Sequence, residues 1–353
     1  MSASTQVIPP QSSHALHVEA SNQVDPICSI DTEHNDMIHD IQLDYYGKRL
    51  VTCSADRTFR VYDVTNSTAS APPSTSSANN ELHILTHIVP LPETTAAPIY
   101  RIAWAHPKYG SVLAVACQDG KVYIYREELS PNGSGQTQWH QKHVHTFHQA
   151  AILCIAWAPY EYGLCLASAS ADGKVSFLTR VREGWVLSSS ITNTEDGVAC
   201  TSVSWAPYNS LGSQGTQGPI QRIVSGSRNS VVQLFSFDPQ MSSWTLLETL
   251  CGHTDWVRDV VWSPNVGIPC NVIASGSDDQ TVRVWAQDDK DGEWKMHILS
   301  SFSSPVYRLH WSLTGSVLSV AAGDNEISFW KQKNEKEWTQ ISSINASGTR
   351  NFE

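Results

Sequence analysis

Ile273-Ala274-Ser275-Gly276-Ser277-Asp278-Asp279-Gln280-Thr281-Val282-Arg283-Val284-Trp285 is the stretch that decides how this chain folds. Small residues lead into an acidic turn, and Thr281 to Trp285 then alternates polar with apolar. Period-two alternation beside a short polar turn specifies a β-hairpin, because successive strand residues face opposite ways. Asp279 suits the turn, since its carboxylate accepts hydrogen bonds from backbone N–H groups close in sequence. Trp285 closes the second strand. Counting back six from the matching residues Tyr62, Tyr125, Leu178, Phe235 and Trp330 reaches Asp56, Asp119, Asp172, Asn229 and Asp324. The hairpin is one copy of six.

Two further landmarks recur with it. A Trp followed by a small residue, often then Pro, stands ahead of the hairpin at Trp104, Trp157, Trp205, Trp262 and Trp311, at intervals of 53, 48, 57 and 49 residues. Leu43 holds that place 61 residues before Trp104. Behind the hairpin comes another strand, opened in five units by Trp139, Trp185, Trp244, Trp294 and Trp338. Each unit thus carries four strands, a to d from first to last. Of 13 tryptophans only Trp256 lies off these landmarks, so they are architecture and not a cofactor box. Four short antiparallel strands per unit, without helical period, describe a β-propeller blade. The expected fold is all-β, with blades at about 34–90, 98–148, 151–192, 199–251, 253–301 and 305–345. The segments 1–24 and 346–353 are expected to be disordered.

The strand count exceeds six blades by one. Ile27-Cys28-Ser29-Ile30-Asp31-Thr32 precedes His34 as Leu246–Cys251 precedes His253, so by register it is a strand d without an a, b or c of its own. Blade six already has its fourth strand, Trp338–Ile344. Two arrangements fit. In one, an open six-blade ring receives a three-stranded blade from another chain, since an unpaired strand edge seeks a partner. In the other, a closed six-blade ring leaves one strand over. The open ring makes Ile27, Cys28 and Ile30 on the orphan strand, and Ile327, Phe329 and Trp338 on blade six, the candidate partner contacts.

Composition narrows the function. The 353 residues include 23 basic and 34 acidic side chains, a net charge of −11 that argues against generic nucleic-acid or anionic-membrane binding. No secretory leader and no membrane-spanning run is expected from the pattern. The eight cysteines form no CxxC pair and read as buried thiols. No GxSxG, Walker A or HExxH motif is present, and neither an enzyme nor a cofactor is expected. His143 and His145 share a strand face and could chelate a metal; a solvated strand face is the simpler reading. The low-complexity runs Thr65–Asn80 and Gly212–Pro219 read as solvated loops.

With Gly252-His253 and the closing Trp285 and Trp330, the units resemble WD repeats in diverged form. In such repeats a His, a strand-b Ser or Thr, the turn Asp and the closing Trp form a hydrogen-bonded chain. His253, Ser275 (or Ser277), Asp279 and Trp285 can supply it in blade five. Because these residue types recur blade by blade and do not gather at one site, they read as structural.

The sequence also resembles one family closely over about residues 27–345, the Sec-thirteen family. The matching runs are Asp36-Met37-Ile38-His39-Asp40, Asp44-Tyr45-Tyr46-Gly47, Ala103-Trp104-Ala105-His106-Pro107-Lys108-Tyr109-Gly110, Trp157-Ala158-Pro159-Tyr160-Glu161-Tyr162-Gly163-Leu164 and His253-Thr254-Asp255-Trp256-Val257-Arg258-Asp259-Val260. A sister nuclear-pore family shares Ile38-His39-Asp40 and Thr52-Cys53-Ser54 but is less similar across Trp157–Leu164 and His253–Val260. The resemblance implies an open propeller completed in trans by a blade from a long α-solenoid protein, either the larger outer-coat subunit of COPII or a scaffold nucleoporin. It implies a soluble, heteromeric subunit at ER-derived vesicles and the nuclear pore, and a tie to amino-acid signalling at the lysosome or vacuole. The tail 1–24 and the two low-complexity loops depart from the family pattern. Two other classes stay open: a closed-ring substrate receptor, such as one serving a ubiquitin ligase, and a propeller hydrolase with carboxylates at the channel mouth.

Overall fold

β-branched and aromatic residues in period-two order form pleated strands readily, and here each unit of four closes into one antiparallel sheet. The computed structural model describes residues 30–64, 83–94, 97–130, 135–192, 197–215, 218–264, 270–289, 292–334, 337–345 and 350–352. Six sheets follow one another in chain order, each with its strands in the sequence a-b-c-d. The a strands are Ile38–Leu43, Ile99–Trp104, Ile152–Trp157, Cys200–Trp205, Val257–Trp262 and Val306–Trp311. They pack side by side around a central channel, each against the next, from the first to the sixth. The all-β, six-bladed propeller expected from the repeat is the fold.

Cores lie between blades. The b and c strands of one blade supply one wall, and the a strand and aromatic residues of the next supply the other. The two tryptophan landmarks meet there. Trp104 and Trp139, Trp157 and Trp185, Trp205 and Trp244, Trp262 and Trp294, and Trp311 and Trp338 lie 5.8 to 6.2 Å apart between ring centroids. Edge-on and tilted rings at this spacing gain quadrupole attraction beyond their buried area. The recurring tryptophans are therefore mortar between blades.

Each a strand carries a β-bulge one residue after its start, at Ile38/Asp40, Ile99/Arg101, Cys200/Ser202, Val257/Asp259 and Val306/Arg308, with the matching shift opposite Ile152/Cys154. A bulge re-aims the side chain beside it. The re-aimed position is Asp40, Arg101, Cys154, Ser202, Asp259 and Arg308, one per blade.

Three expectations are corrected. The C-terminal segment was expected to be disordered, yet Arg350–Phe352 pairs antiparallel with the outer strand of blade six and makes that sheet five-stranded. The free edge of an outer strand offers unpaired N–H and C=O groups, and three residues suffice to use them. Gly212–Pro219 is not a plain loop: Gln214–Gly215 pairs with Gly218–Pro219. The buried Arg222 gathers the Leu211 carbonyl and the Ser210 and Ser213 hydroxyls beneath this ribbon. His145 is not on a solvated face either. It is buried between blades two and three, against Ser176, because its side of the strand is the one that blade three covers. Thr65–Asn80 and the tail 1–24 lie outside the described residues.

Candidate partner-binding interface

Blade-to-blade packing sets a standard that one place fails to meet. The first apolar residue of strand a is Ile99, Ile152, Cys200, Val257 or Val306 in blades two to six, and each is at most 2% exposed. The second is Ile102, Ile155, Val203, Val260 or Leu309, at most 8% exposed. In blade one the same register positions are Ile38 and Ile41, exposed to 43% and 56%, and Leu43 in the Trp place is 56% exposed. The residues are as apolar as their counterparts; what is missing is the wall of a preceding blade.

Blade six shows the other half of the gap. On strand c, the two residues facing the following blade are Phe59 and Val61, Val122 and Ile124, Val175 and Phe177, Val232 and Leu234, or Val282 and Val284, all fully buried. Their counterparts in blade six are Ile327, 43% exposed, and Phe329, half-buried. No packing like that between other neighbours joins Val306–Trp311 to Ile38–Leu43. Across the opening the side chains of Arg308 and Asp40 stand 3.6 Å apart. Among the described residues nothing fills the place between blades six and one, and the ring is open there.

The residues singled out from sequence fall in different places. Ile327 and Phe329 are on the open face. Trp338 is not: it packs on Trp311, 5.9 Å away, within the core shared with blade five. Period-two reading gives two faces but not which one meets the neighbour, and the Trp pair settles it. Ile27 and Cys28 lie outside the described residues. Ile30 is half-buried, and Ile30 to His34 carry no strand; the Thr32 carbonyl is held by Arg60 and by the Tyr62 hydroxyl at 2.8 and 2.9 Å. Sequence reasoning missed Ile38, Ile41, Leu43, Asp40 and Arg308. Their signal was a register shared with Ile99, Ile102, Trp104 and Arg101, in a first unit with no unit before it and, for Arg308, a sixth unit with none after it.

The polar residues of the blades do not converge on a reactive site. In blade five His253 Nδ1 meets Asp279 at 2.8 Å, His253 Nε2 meets the Ser275 hydroxyl at 2.8 Å, and the Trp285 indole N–H donates to that hydroxyl at 2.9 Å. Ser277 instead donates to the Asp255 carbonyl. Burial pushes the His253 imidazole down from its usual pKa. Burial alone would raise the Asp279 carboxyl, but hydrogen bonds from Thr281, the Thr254 backbone and His253 outweigh it and hold it at about 2. Blades one and three repeat the motif in part, as His34 with Asp56 and Thr52, and His148 with Asp172 and Ser176. Asp119 and Asn229 hold local turns instead, and Asp324 takes the Ser303 hydroxyl as well as the Glu326 N–H. These chains brace hairpins on separate blades. Among the described residues no group of three or more His, Cys, Asp and Glu side chains is placed to hold a metal ion.

Comparison with known proteins agrees with the blade geometry. The family model described as "WD domain, G-beta repeat" matches residues 26–63, 139–177 and 244–286. Each match runs from a strand d, or its sequence counterpart, through strand c of the next blade. A protein of Cryptococcus neoformans var. neoformans serotype D, "Protein transport protein SEC13", is 37% identical over 340 residues, covering 90% of this chain and 97% of that one. Proteins bearing the same name from Mycosarcoma maydis and Emericella nidulans are 34% and 37% identical, covering 90% and 88% of this chain and 95% and 96% of theirs. Similarity at this level along nearly the whole of both chains, over six blades of matching register, makes this protein a member of the SEC13 family of WD-repeat proteins.

Proposed function

We propose that this chain is a scaffold subunit in protein transport that works by receiving a seventh blade from an α-solenoid partner. The single observation that carries the reading is the open wedge between blades six and one, with Ile38, Ile41, Ile327 and Phe329 uncovered at positions buried in the other blades. Covering them removes apolar surface from water, and the edges of a three-stranded insert would continue the propeller. The family-model match that begins at residue 26 supports it: the segment ahead of blade one has the character of an outer strand for a blade this chain does not supply. The relatives' shared name, protein transport protein, supports the cellular role. In this reading the partner is the larger outer-coat subunit of COPII vesicles at the ER, or a scaffold nucleoporin at the nuclear pore. Its mechanism is mechanical: stiff interblade cores fix the angle at which the solenoid leaves the ring.

The test is recovery of the full-length chain from cells, with its stoichiometric partner identified by mass spectrometry. A long helical solenoid carrying a short β-rich segment is the expected result. A cullin-type adaptor in its place refutes the reading.

A further inference from the structure

The re-aimed residue of each a strand reaches forward to the inner strand of the next blade. Asp40 Oδ2 accepts the Ile102 N–H at 3.2 Å. Arg101 Nε donates to the Leu153 carbonyl at 2.7 Å. The Cys154 thiol lies 3.8 Å from the Val203 carbonyl. Ser202 Oγ accepts the Val260 N–H at 3.0 Å, and Asp259 Oδ2 accepts the Leu309 N–H at 3.0 Å. The rule is chemical. A carboxylate or hydroxyl takes the N–H one residue past its own counterpart in the next blade, while the donor-only guanidinium of Arg101 takes the carbonyl one residue before its counterpart Cys154.

Arg308 is the sixth member and has no next blade. It stands opposite Ala321 after the Val306/Arg308 bulge, as Arg101 stands opposite Ala116 after the Ile99/Arg101 bulge. Its guanidinium stops 3.6 Å from Asp40, beyond direct hydrogen-bond distance, with 38% of its side chain exposed. Asp40 already serves Ile102 with its other oxygen.

We infer that Arg308 is the docking side chain for an incoming blade: it donates to a main-chain carbonyl of that blade's inner strand, at the residue following the strand's first buried apolar side chain, as Arg101 does to Leu153. The inference rests on the blade insertion proposed above and deepens it. A contact to main chain sets how far the strand enters the ring without reading its side chains. One such contact can therefore register partners of unrelated sequence. The Asp40 pairing is a resting position from which Arg308 turns to the partner.

The probe is the solenoid protein recovered with the unaltered chain, immobilised, with dissociation followed at fixed ionic strength. Arg308→Ala and Arg308→Met should each release it about tenfold faster or more, the loss expected for a hydrogen bond from a charged donor. Arg308→Met keeps the apolar stem, so a loss shared by both variants reads the guanidinium and not packing. Asp40→Asn should change release by less than threefold, because Arg308 is still there to dock. Release of both Arg308 variants within twofold of the unaltered chain overturns this assignment alone, as does a loss in Asp40→Asn equal to theirs. Recovery of no blade-donating partner with the unaltered chain overturns the proposed function and this assignment with it.

Discussion

Ile41 and Ile102 occupy the same register position in blades one and two, so one substitution made at both reads the opening directly. Ile102 is fully buried; Ile41 is 56% exposed. Full burial of an isoleucine side chain is worth about 1.5–3 kcal/mol, so less than half of that, about 1 kcal/mol, is realised at Ile41 in the isolated chain. Ile41→Asp therefore costs the free protein about 1 kcal/mol and leaves it folded. Ile102→Asp removes a packed side chain, at about 2–5 kcal/mol, and strands a carboxylate among Val51, Cys53 and Val115 with no charge to meet it. The sum rivals the 5–15 kcal/mol that holds an ordinary domain together, and that variant should not fold. The order of effects reverses in the assembly. A blade seated on Ile41 would enclose the aspartate, so partner affinity should fall by about three orders of magnitude or more. Urea denaturation of the two isolated variants measures the first effect, and co-purification with the partner the second. Equal destabilisation of the free chain by both substitutions would show that the ring is closed on its own, and the reasoning from exposure would fail.

Three other perturbations follow from the same packing. Ser275→Ala takes one hydroxyl from both His253 Nε2 and the Trp285 indole, leaving two buried polar groups unmet; a loss of about 2–4 kcal/mol in urea denaturation is expected, and under 1 kcal/mol would mean the chain of contacts does not brace blade five. A Cβ on Gly276 would come within 2.5 Å of Val306 Cγ1, so Gly276→Val should cost about 1–3 kcal/mol by overpacking, whereas Ala321→Val, at the matching place on the open face, should leave the isolated chain's melting temperature nearly unchanged. Burial, with His148 and His143 nearby, lowers the His145 pKa from 6.5 to about 4. The folded state resists the proton that the unfolded chain accepts, so this stability is complete above pH 6.5 and is lost as pH falls toward 4, amounting to about 3 kcal/mol at the acid end. His145→Gln should flatten the stability curve across that window, and an unchanged slope would place the acid sensitivity elsewhere.

What the sequence discloses about this fold is what chain neighbours decide. The hairpin at Asp279 and the alternation up to Trp285 need only local propensity and turn chemistry, and so six blades could be counted before any coordinates. The partners of His253 were legible for the same reason, up to a choice between Ser275 and Ser277 that depends on which strand face turns inward. What escaped depends on distant residues. Trp338 reads as a candidate surface residue until Trp311 is placed against it. His143 and His145 read as solvated until blade three arrives over them. Gly212–Pro219 has loop composition, and its pairing reflects Arg222, whose buried guanidinium demands acceptors from whatever backbone crosses it. Ile38 and Ile99 are the same residue type in the same register, and only the presence or absence of a neighbouring blade makes one exposed and the other a core residue.

The five complete interfaces also define what a blade inserted as proposed would look like. On strand b, the residues facing the next blade are Val51 and Cys53, Ala114 and Ala116, Ala167 and Ala169, Val224 and Gly226, and Ala274 and Gly276. Most are small because larger inner-strand residues press on them: Ile152 and Ile155 against the alanines of blade two, Val257 against Gly226, Val306 against Gly276. Blade six continues the series with Ser319 and Ala321, half-buried and without their large counterparts. Blade one presents Ile38 and Ile41 without their small ones. Close packing requires volume on one side to meet space on the other. A blade that fits must therefore carry two bulky apolar residues on its inner strand, three apart, for Ser319 and Ala321 to receive. It must also carry two small residues, two apart on its middle strand, to receive Ile38 and Ile41. The described residues of a second copy offer no such three-stranded insert, since their sheets of matching pattern are already built into that copy's own ring. Under the proposed insertion the donor is therefore a different polypeptide, and the order large then small along its first two strands is the feature by which it would be recognised.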